Sequence, residues 1–385
     1  MFLTYPNKKA ENEILNLGLN STFKVRTEGV DNYLIHSENL EALLYLQKNF
    51  KSSIDLVYID PPFATDNIFT VGDGRSNTIS NKKHGAIAYS DNLTGFEFIE
   101  FIRERLILLR ELLSNKGSIY LHIDYKIGHY VKIIMDEIFG AENFRNDISR
   151  IKCNPKNFSR KAYGNQKDMI LFYSKTKDII WNEPRQDYSE EDIIRLFDKV
   201  DSEGKRYTTV PVHAPGETLN GDTGMPWKGI SPPKGRHWRV SPSELDKLDA
   251  LGRIEWSRNG VPRKIDYPEN RKGMKRQDIW EYKDSQSPAY PTEKNLKMLE
   301  MIINASSNPD SLVLDCFAGS GSTLEAAHNT KRKWIGIDQS DIAINVIKSR
   351  LQRIPIDLFT QQPKYTFIEQ DISQGKVETK DLKLA

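Results

Sequence analysis

Two short stretches of this 385-residue chain carry residue types that can do chemistry. The first is Asp60-Pro61-Pro62-Phe63. An acid, a carbonyl on a proline of fixed φ and an aromatic face together make a receptor for a flat, amino-bearing ring such as a nucleobase. The residues alone also allow a plainer reading, an acid-capped strand followed by a Pro-Pro turn. The second stretch is Asp315-Cys316-Phe317-Ala318-Gly319-Ser320-Gly321-Ser322-Thr323, with Asp338 closing the next apolar run. Its glycines let the backbone approach a ligand closely, and an acid at the end of the following strand can take ribose hydroxyls. The dinucleotide pattern wants a third glycine where Leu324 stands, and no Lys-Ser/Thr pair follows the glycines. Such a loop suits an adenosine that carries something other than phosphates.

Both stretches need rigid mounts, and the flanking residues supply them. Ile54–Ile59 is an almost unbroken apolar run with β-branched residues, the pattern of a strand buried on both faces of a parallel sheet. Leu312-Val313-Leu314-Asp315 and Trp334-Ile335-Gly336-Ile337-Asp338 repeat it, and Tyr33–His36 and Ser118–Asp124 read as further strands. Between them lie helical periodicities. One follows a Ser37 N-cap with Leu40, Leu43, Leu44 and Leu46 on one side; others run over 96–113, 128–139, 295–304 and 324–329. His122 and Asp124 end a strand and read as structural neighbours of the site. The alternation predicts an α/β fold with a parallel sheet. Residues 64–94 are Gly/Asn/Ser-rich and are expected to form a mobile, substrate-contacting loop over the first stretch. The pattern breaks near Arg150. Residues 150–183 hold eight basic against three acidic residues, and from Tyr207 to Trp280 come Trp227, Trp238 and Trp256 among Gly-Pro turns and Lys/Arg. Basic residues interleaved with aromatics suit phosphate contact and base stacking; a turn-rich β domain with a tryptophan core is the other reading.

Composition narrows the class. With 38% apolar and 28% charged residues the chain reads as globular, and no window approaches the ~20 apolar residues of a membrane span. The N-terminus places its lysines after its few apolar residues, unlike a signal peptide. Two cysteines, Cys153 and Cys316, make neither a disulfide framework nor a metal cluster, which points to a cytoplasmic protein without a metal. A net charge of only +2 means that any nucleic-acid surface must be local.

Taken together and in this order, the motifs resemble those of the amino-group DNA methyltransferases. Asp60-Pro61-Pro62-Phe63 is similar to that family's Asp/Asn/Ser-Pro-Pro-aromatic motif, and Phe317-Ala318-Gly319-Ser320-Gly321 to its Phe-x-Gly-x-Gly. The catalytic motif comes first and the cofactor loop near the C-terminus, the order of the permuted β subgroup. Tyr290-Pro291-Thr292-Glu293-Lys294 resembles that subgroup's His-Pro-Thr-Gln-Lys, and Ser37-Glu38-Asn39-Leu40 its Gly-Asp-Asn-Leu. Gly235–Trp238 and Asp278–Trp280 resemble segments of adenine-modifying members, including modification subunits of restriction systems. Cys316 departs from the usual Pro, Tyr290 and Glu293 from His and Gln, and Glu38 from Asp.

The resemblance implies a Rossmann-like methyltransferase sheet in circularly permuted order with an inserted target-recognition region. It divides the chain into an N-terminal arm (1–32), a catalytic half (33–149), the recognition region (150–289), a cofactor half (290–353) and a C-terminal tail (354–385). It implies S-adenosyl-L-methionine as cofactor, held by Glu38, Thr292, Lys294, Asp315, Phe317, Ala318, Gly319, Ser320, Gly321, Thr323 and Asp338. It implies methyl transfer to adenine N6 of a flipped-out base in double-stranded DNA, with Asp60, Pro61, Pro62 and Phe63 catalytic. Phe63 would stack on the base, while the Asp60 carboxylate and Pro61 carbonyl accept its amino hydrogens. Asp at position 60 favours adenine; Ser would have favoured cytosine N4, the nearest alternative. A Rossmann-type oxidoreductase is a remoter one, and Cys153 lacks the Pro-Cys context of C5-cytosine chemistry. Whether a second copy of the chain or a cognate restriction endonuclease partners it stays open.

Overall fold

The computed structural model describes residues 2–62, 68–72, 75–79, 86–90, 95–155, 161–283, 293–355 and 362–371; Phe63, Tyr290, Pro291 and Thr292 lie outside these. The chain forms two compact units, one from Met1–Glu183 with Gln277–Ala385, the other Pro184–Arg276.

The first unit is built on a ten-stranded sheet. Its strands are β1 (Thr22–Thr27), β2 (Tyr33–His36), β3 (Ile54–Ile59), β4 (Leu113–Ile123), β5 (Phe144–Ile151), β6 (Lys167–Ser174), β7 (Ile279–Glu281), β8 (Leu312–Asp315), β9 (Lys333–Asp338) and β10 (Thr366–Asp371). They lie in the order β1-β10-β2-β9-β8-β3-β4-β6-β5-β7. The run from β10 to β4 is parallel. The pairs β4–β6, β6–β5 and β1–β10 are antiparallel. The permuted order is thus physical: β8, far along the chain, inserts between β3 and β9, with Val57 registered against Leu314. From β8 the sheet continues through β9 on one side and β3 on the other, so the carboxyl ends of β8 and β3 flank a switch point, where open α/β sheets bind ligands.

The helices of this unit are α1 (Glu11–Leu15), α2 (Asn39–Leu46), α3 (Gly95–Leu112), α4 (Gly128–Phe139), α5 (Leu296–Ser306), α6 (Ser322–Asn329) and α7 (Asp341–Gln352). Side chains alternate across a strand, so β3 sends Val57 and Ile59 to one core and Leu56 and Tyr58 to the other. The first core packs against α2, α3 and α4. The second packs against α5, α6 and α7. Each fully buried Leu or Ile contributes about 1.5–3 kcal/mol, enough in sum to hold the sheet between both helix layers.

Several expectations need correction. Segments of the arm and the tail join the main sheet: β1 pairs with β10, which lies parallel to β2, and Tyr5 and Ile14 are buried. Glu38, not Ser37, caps α2, its Oε2 accepting from Glu41 N at 3.1 Å. Helix α3 stops at Leu112, where β4 begins directly. Backbone segments 68–72, 75–79 and 86–90 form a three-stranded antiparallel sheet, so 64–94 is not structureless; the rest of that segment lies outside the described residues. The second unit is narrower than the 150–289 segment, because β5, β6 and β7 belong to the main sheet. Residues 184–276 form a four-stranded antiparallel sheet over a small core of Val212, Trp227, Trp238, Leu245 and Ile254. Trp227 and Trp238 are therefore core residues, with Trp256 stacked on Trp227 at 5.3 Å, rather than free stacking platforms.

Candidate active site

Asp60 follows β3 on the side that carries Tyr58, and its surroundings come from three directions. Lys294, just before α5, places Nζ 2.6 Å from Asp60 Oδ2, with only 10% and 15% of the two side chains exposed. His122, wholly buried near the end of β4, holds Nδ1 3.9 Å from Asp60 Oδ1, too far for a hydrogen bond. Oδ1 is buried and has no hydrogen-bond partner among the described residues. One carboxylate oxygen is thus pinned by a cation and the other is a buried acceptor left without a partner among the described residues. Pro61 is buried and Pro62 half-buried behind it.

Behind Asp60 lies a polar chain that sequence inspection only touched. Tyr58 Oη is 2.9 Å from His122 Nδ1, and His122 Nε2 is 3.2 Å from Asp168 Oδ2. Lys152 donates to Asp168 Oδ1 at 2.6 Å, and Arg150 Nη1 stands 3.7 Å from Oδ2. Burial works to raise the Asp168 carboxyl, but His122 and Lys152 hold it well below the usual carboxylate range. Burial, helped by Lys294, lowers His122, and burial raises Tyr58. Asp124 takes a different part: its Oδ1 accepts from Lys126 N and Ile127 N at 2.9 and 3.3 Å and shapes the turn into α4.

One strand over, β8 ends at Asp315 and the loop 316–321 turns into α6. Gly319 and Gly321 adopt φ of 49° and 76°, the left-handed region that glycine enters without strain. A Cβ on Gly321 would meet Ile347 Cγ1 at 3.0 Å. Asp315 Oδ1 accepts from Phe317 N at 2.9 Å; burial pushes its carboxyl up to about 7. Asp338, raised by burial as well, accepts from Gly319 N at 2.8 Å and Ser340 N at 2.9 Å, so the acid at the end of β9 braces the loop. A carboxylate has about four lone-pair sites, so acceptor capacity remains. Thr323 is buried in the first turn of α6, and Ser320 Oγ lies 2.9 Å from Ser322 Oγ.

Glu38 joins this site through Arg105, whose Nη2 donates to Glu38 Oε1 and Nε to Asn39 Oδ1, both at 2.5 Å. Asn39 Nδ2 in turn donates to Cys316 O at 3.2 Å, and the Arg105 guanidinium lies 3.5 Å from the Phe101 ring centroid, next to Phe317. Arg350 of α7 ties the segment before α5 to the loop, donating to Glu293, to Ser320 O at 2.7 Å and to Glu325 at 2.6 Å. The structure therefore brings Asp60, Lys294 and Asp315 to neighbouring strand ends, with Asp338, Glu38 and Phe317–Gly321 around the loop. Arg105 and Arg350 escaped sequence inspection, and Asn39 stood only as a member of the Ser37–Leu40 motif; the one available signal for Arg105 was Arg103-Glu104-Arg105, three charges inside a helix otherwise rich in Leu and Ile.

This arrangement can bind a cationic, hydroxyl-bearing ligand at the loop and present it to an acceptor at Asp60. Among the described residues no group of three or more His, Cys, Asp or Glu could hold a metal, and no helix is long and apolar enough to cross a membrane. Comparison with known proteins identifies the family. The family model described as DNA methylase, covering amino-group N6 and N4 enzymes, matches residues 54–349. The type II methyltransferase M.EcaI of Enterobacter cloacae is 42% identical over 361 residues, 90% of this chain and 77% of that protein. M.KpnI of Klebsiella pneumoniae is 28% identical over 333 residues, 75% of each. The Mod subunit of the type III restriction-modification enzyme StyLTI of Salmonella typhimurium is 27% identical over 328 residues, 77% of this chain and 49% of the subunit, so the chain spans about half its length. With three quarters of its length inside one family model and a close relative along most of it, the chain belongs to the amino-group DNA methylases.

Proposed function

We propose that this DNA methyltransferase modifies adenine at N6, with Asp60 as the acceptor for the target amino group. The observation that carries this is the open, buried Oδ1 of a carboxylate at the strand end. A carboxylate can only accept, whereas the serine of the cytosine pattern would also donate. Oδ1 and the Pro61 carbonyl take the two amino hydrogens, which draws the nitrogen from planar toward tetrahedral and frees its lone pair. Lys294 keeps Oδ2 occupied and so orients the carboxylate. Phe63 stacks on the flipped base. The proton released when the nitrogen is methylated passes to Asp60 Oδ1, which already faces it. Preorganised acceptors and positioning supply most of the rate.

S-adenosyl-L-methionine supplies an electrophilic methyl on a cationic sulfonium. The residues present fit it: Asp315, Asp338 and Glu38 are acceptors for a cation with ribose hydroxyls, and the backbone of Phe317–Gly321 permits close approach. Lys294, whose ammonium has donors beyond the one given to Asp60, offers a cation to its carboxylate, and Thr323 is buried in the first turn of α6.

Residues 184–276 are assigned to DNA contact. There Arg236 Nη1 lies 3.2 Å from His213 Nδ1, and Arg236, Arg239 and Arg263 together, after burial, push His213 below its ordinary pKa. None of the three arginines has an ion pair among the described residues; Arg236 and Arg239 are exposed, which suits phosphate oxygens, while Arg263 donates to Thr209 Oγ1 and O at 2.8 and 2.6 Å. A cognate restriction endonuclease belongs to the same proposal, on the strength of the restriction-modification relatives.

The experiment is transfer of labelled methyl from S-adenosyl-L-methionine to unmethylated duplex DNA, followed by digestion to nucleosides. N6-methyl-deoxyadenosine is expected, and its loss in Asp60→Ala. N4-methyl-deoxycytidine would overturn the base assignment; no transfer to any duplex would overturn the activity of this chain.

A further inference from the structure

Asp60 Oδ1 is open because of the histidine beside it, which rests on the reading of Asp60 as the amino acceptor. A buried carboxylate oxygen without a donor is costly and normally finds a partner. His122 is near enough to become one, yet does not. The reason lies in which ring nitrogen carries the hydrogen. Asp168, fed by Lys152 and Arg150, is an ionised carboxylate and can only accept, so the hydrogen between it and His122 sits on Nε2. The ring is neutral, since burial and Lys294 lower its pKa. Its Nδ1 is therefore a bare lone pair, and Tyr58 Oη donates to it at 2.9 Å. With that lone pair taken by Tyr58, the ring has no hydrogen for Asp60 Oδ1, 3.9 Å away; the other tautomer would put an N–H on Nδ1 and release the Tyr58 hydroxyl hydrogen beside that oxygen.

We propose that Tyr58, His122 and Asp168 are positioning residues that hold His122 as its Nε2–H tautomer, so that no hydrogen from the protein reaches Asp60 Oδ1 and this oxygen stays reserved for the target amino group. The charged and titratable groups facing the ring are Tyr58 on β3, Asp60 just after it, Asp168 on β6 and Lys294 before α5. Lys152 and Arg150 stand behind Asp168, and Asp315 on β8 adds to the field at Tyr58. The three positioning residues lie on one side of the sheet because Tyr58, His122 and Asp168 share strand parity with Leu56, Tyr120 and Ile170, all part of the core beneath α5–α7.

Tyr58→Phe keeps the ring and removes only the donor to Nδ1, so it is the gentlest test; Asp168→Asn lets an amide donate to Nε2 and moves the hydrogen to Nδ1. The expected effect is a kcat about 10–100-fold lower in each, the range for partners that orient a reacting group, with KM for DNA and cofactor changed far less. Nitrogen-15 NMR of histidine-labelled enzyme, with the His122 signals assigned by their loss in His122→Gln, reads the tautomer without any turnover. Wild type should show a bare Nδ1 and a protonated Nε2, and Asp168→Asn the reverse or a mixture. Should Asp168→Asn fail to fold, Tyr58→Phe with the wild-type spectrum decides. A protonated Nδ1 in wild type, or unchanged kcat in Tyr58→Phe while Asp60→Ala is inactive, overturns the proposal alone. Transfer retained in Asp60→Ala removes the underlying reading and the proposal with it, whatever the spectrum shows.

Discussion

Replacing Asp60 by asparagine preserves the side chain's shape, so its effect isolates the chemistry of two oxygens. In the native site Oδ2 is bonded to Lys294 Nζ at 2.6 Å and Oδ1 is open. Lysine can only donate, so the asparagine carbonyl must turn toward Nζ. That leaves the NH₂ in the place of Oδ1, beside His122 Nδ1 at 3.9 Å. The target amino group then meets a donor where it needs an acceptor. Loss of one preorganised hydrogen-bonding partner of a reacting group is worth about 3–4 kcal/mol, or roughly 10²–10³ in rate. Here attraction becomes repulsion, so Asp60→Asn should fall about 10³-fold. The assay is single-turnover transfer of labelled methyl to a duplex at saturating cofactor, with DNA affinity measured separately by fluorescence anisotropy. A rate within tenfold of wild type at unchanged DNA affinity would refute the assignment of Oδ1 as the acceptor.

Two further outcomes follow from the glycine loop after β8. Gly321→Ala forces alanine to φ 76° and sets its Cβ 3.0 Å from Ile347. It should cost about 1–2 kcal/mol and lower Tm by about 2–4 °C, with weaker cofactor binding by calorimetry; an unchanged Tm would mean that the loop relaxes freely. Asp315, raised to about 7 by burial, keeps a proton in the folded state that the unfolded chain has already shed above pH ~4. Its contribution to stability is therefore fully present at low pH and is lost as pH rises through 7. A cationic ligand favours the ionised form, so cofactor affinity should rise about tenfold from pH 6 to pH 8 and release protons below pH 7. Calorimetry in two buffers of different ionisation enthalpy reads both, and Asp315→Asn should flatten the profile; a flat wild-type profile would sink the idea.

Much of the frame is legible in the residues themselves. Runs such as Ile54–Ile59 and Leu312–Asp315 are apolar on both faces because they sit between two helix layers, and α4 coincides with its expected 128–139 because its apolar stripe repeats at helical spacing. The motif loops are legible because turns and close approaches demand particular residues, glycine at 319 and 321 and proline after Asp60. Outer strands hide: Thr22–Thr27 and Thr366–Asp371 are rich in Thr, Lys, Glu and Gln, since β1 lies on the sheet edge with most of its residues exposed. Their pairing comes from opposite ends of the chain, and no local pattern encodes a partner that distant.

Charge is where sequence misleads most. Arg150, Lys152 and Asp168 look like part of a solvated basic segment, and Arg105 like a surface residue of a helix. Yet Arg150 and Asp168 are buried together behind Asp60, and Arg105 beneath the loop. A charge carries no mark of its burial, because burial depends on which counter-charge arrives from another strand. Sequence alone determined the chemistry on offer: an acid held by prolines, a glycine turn and acids at strand ends. Only the tertiary structure decided that β8 lies against β3, which brings the two motifs to one edge of the sheet. It also decided that Lys294 takes one oxygen of Asp60 while a histidine of set tautomer leaves the other open, because hydrogen bonds are settled by distance and direction, not by order along the chain.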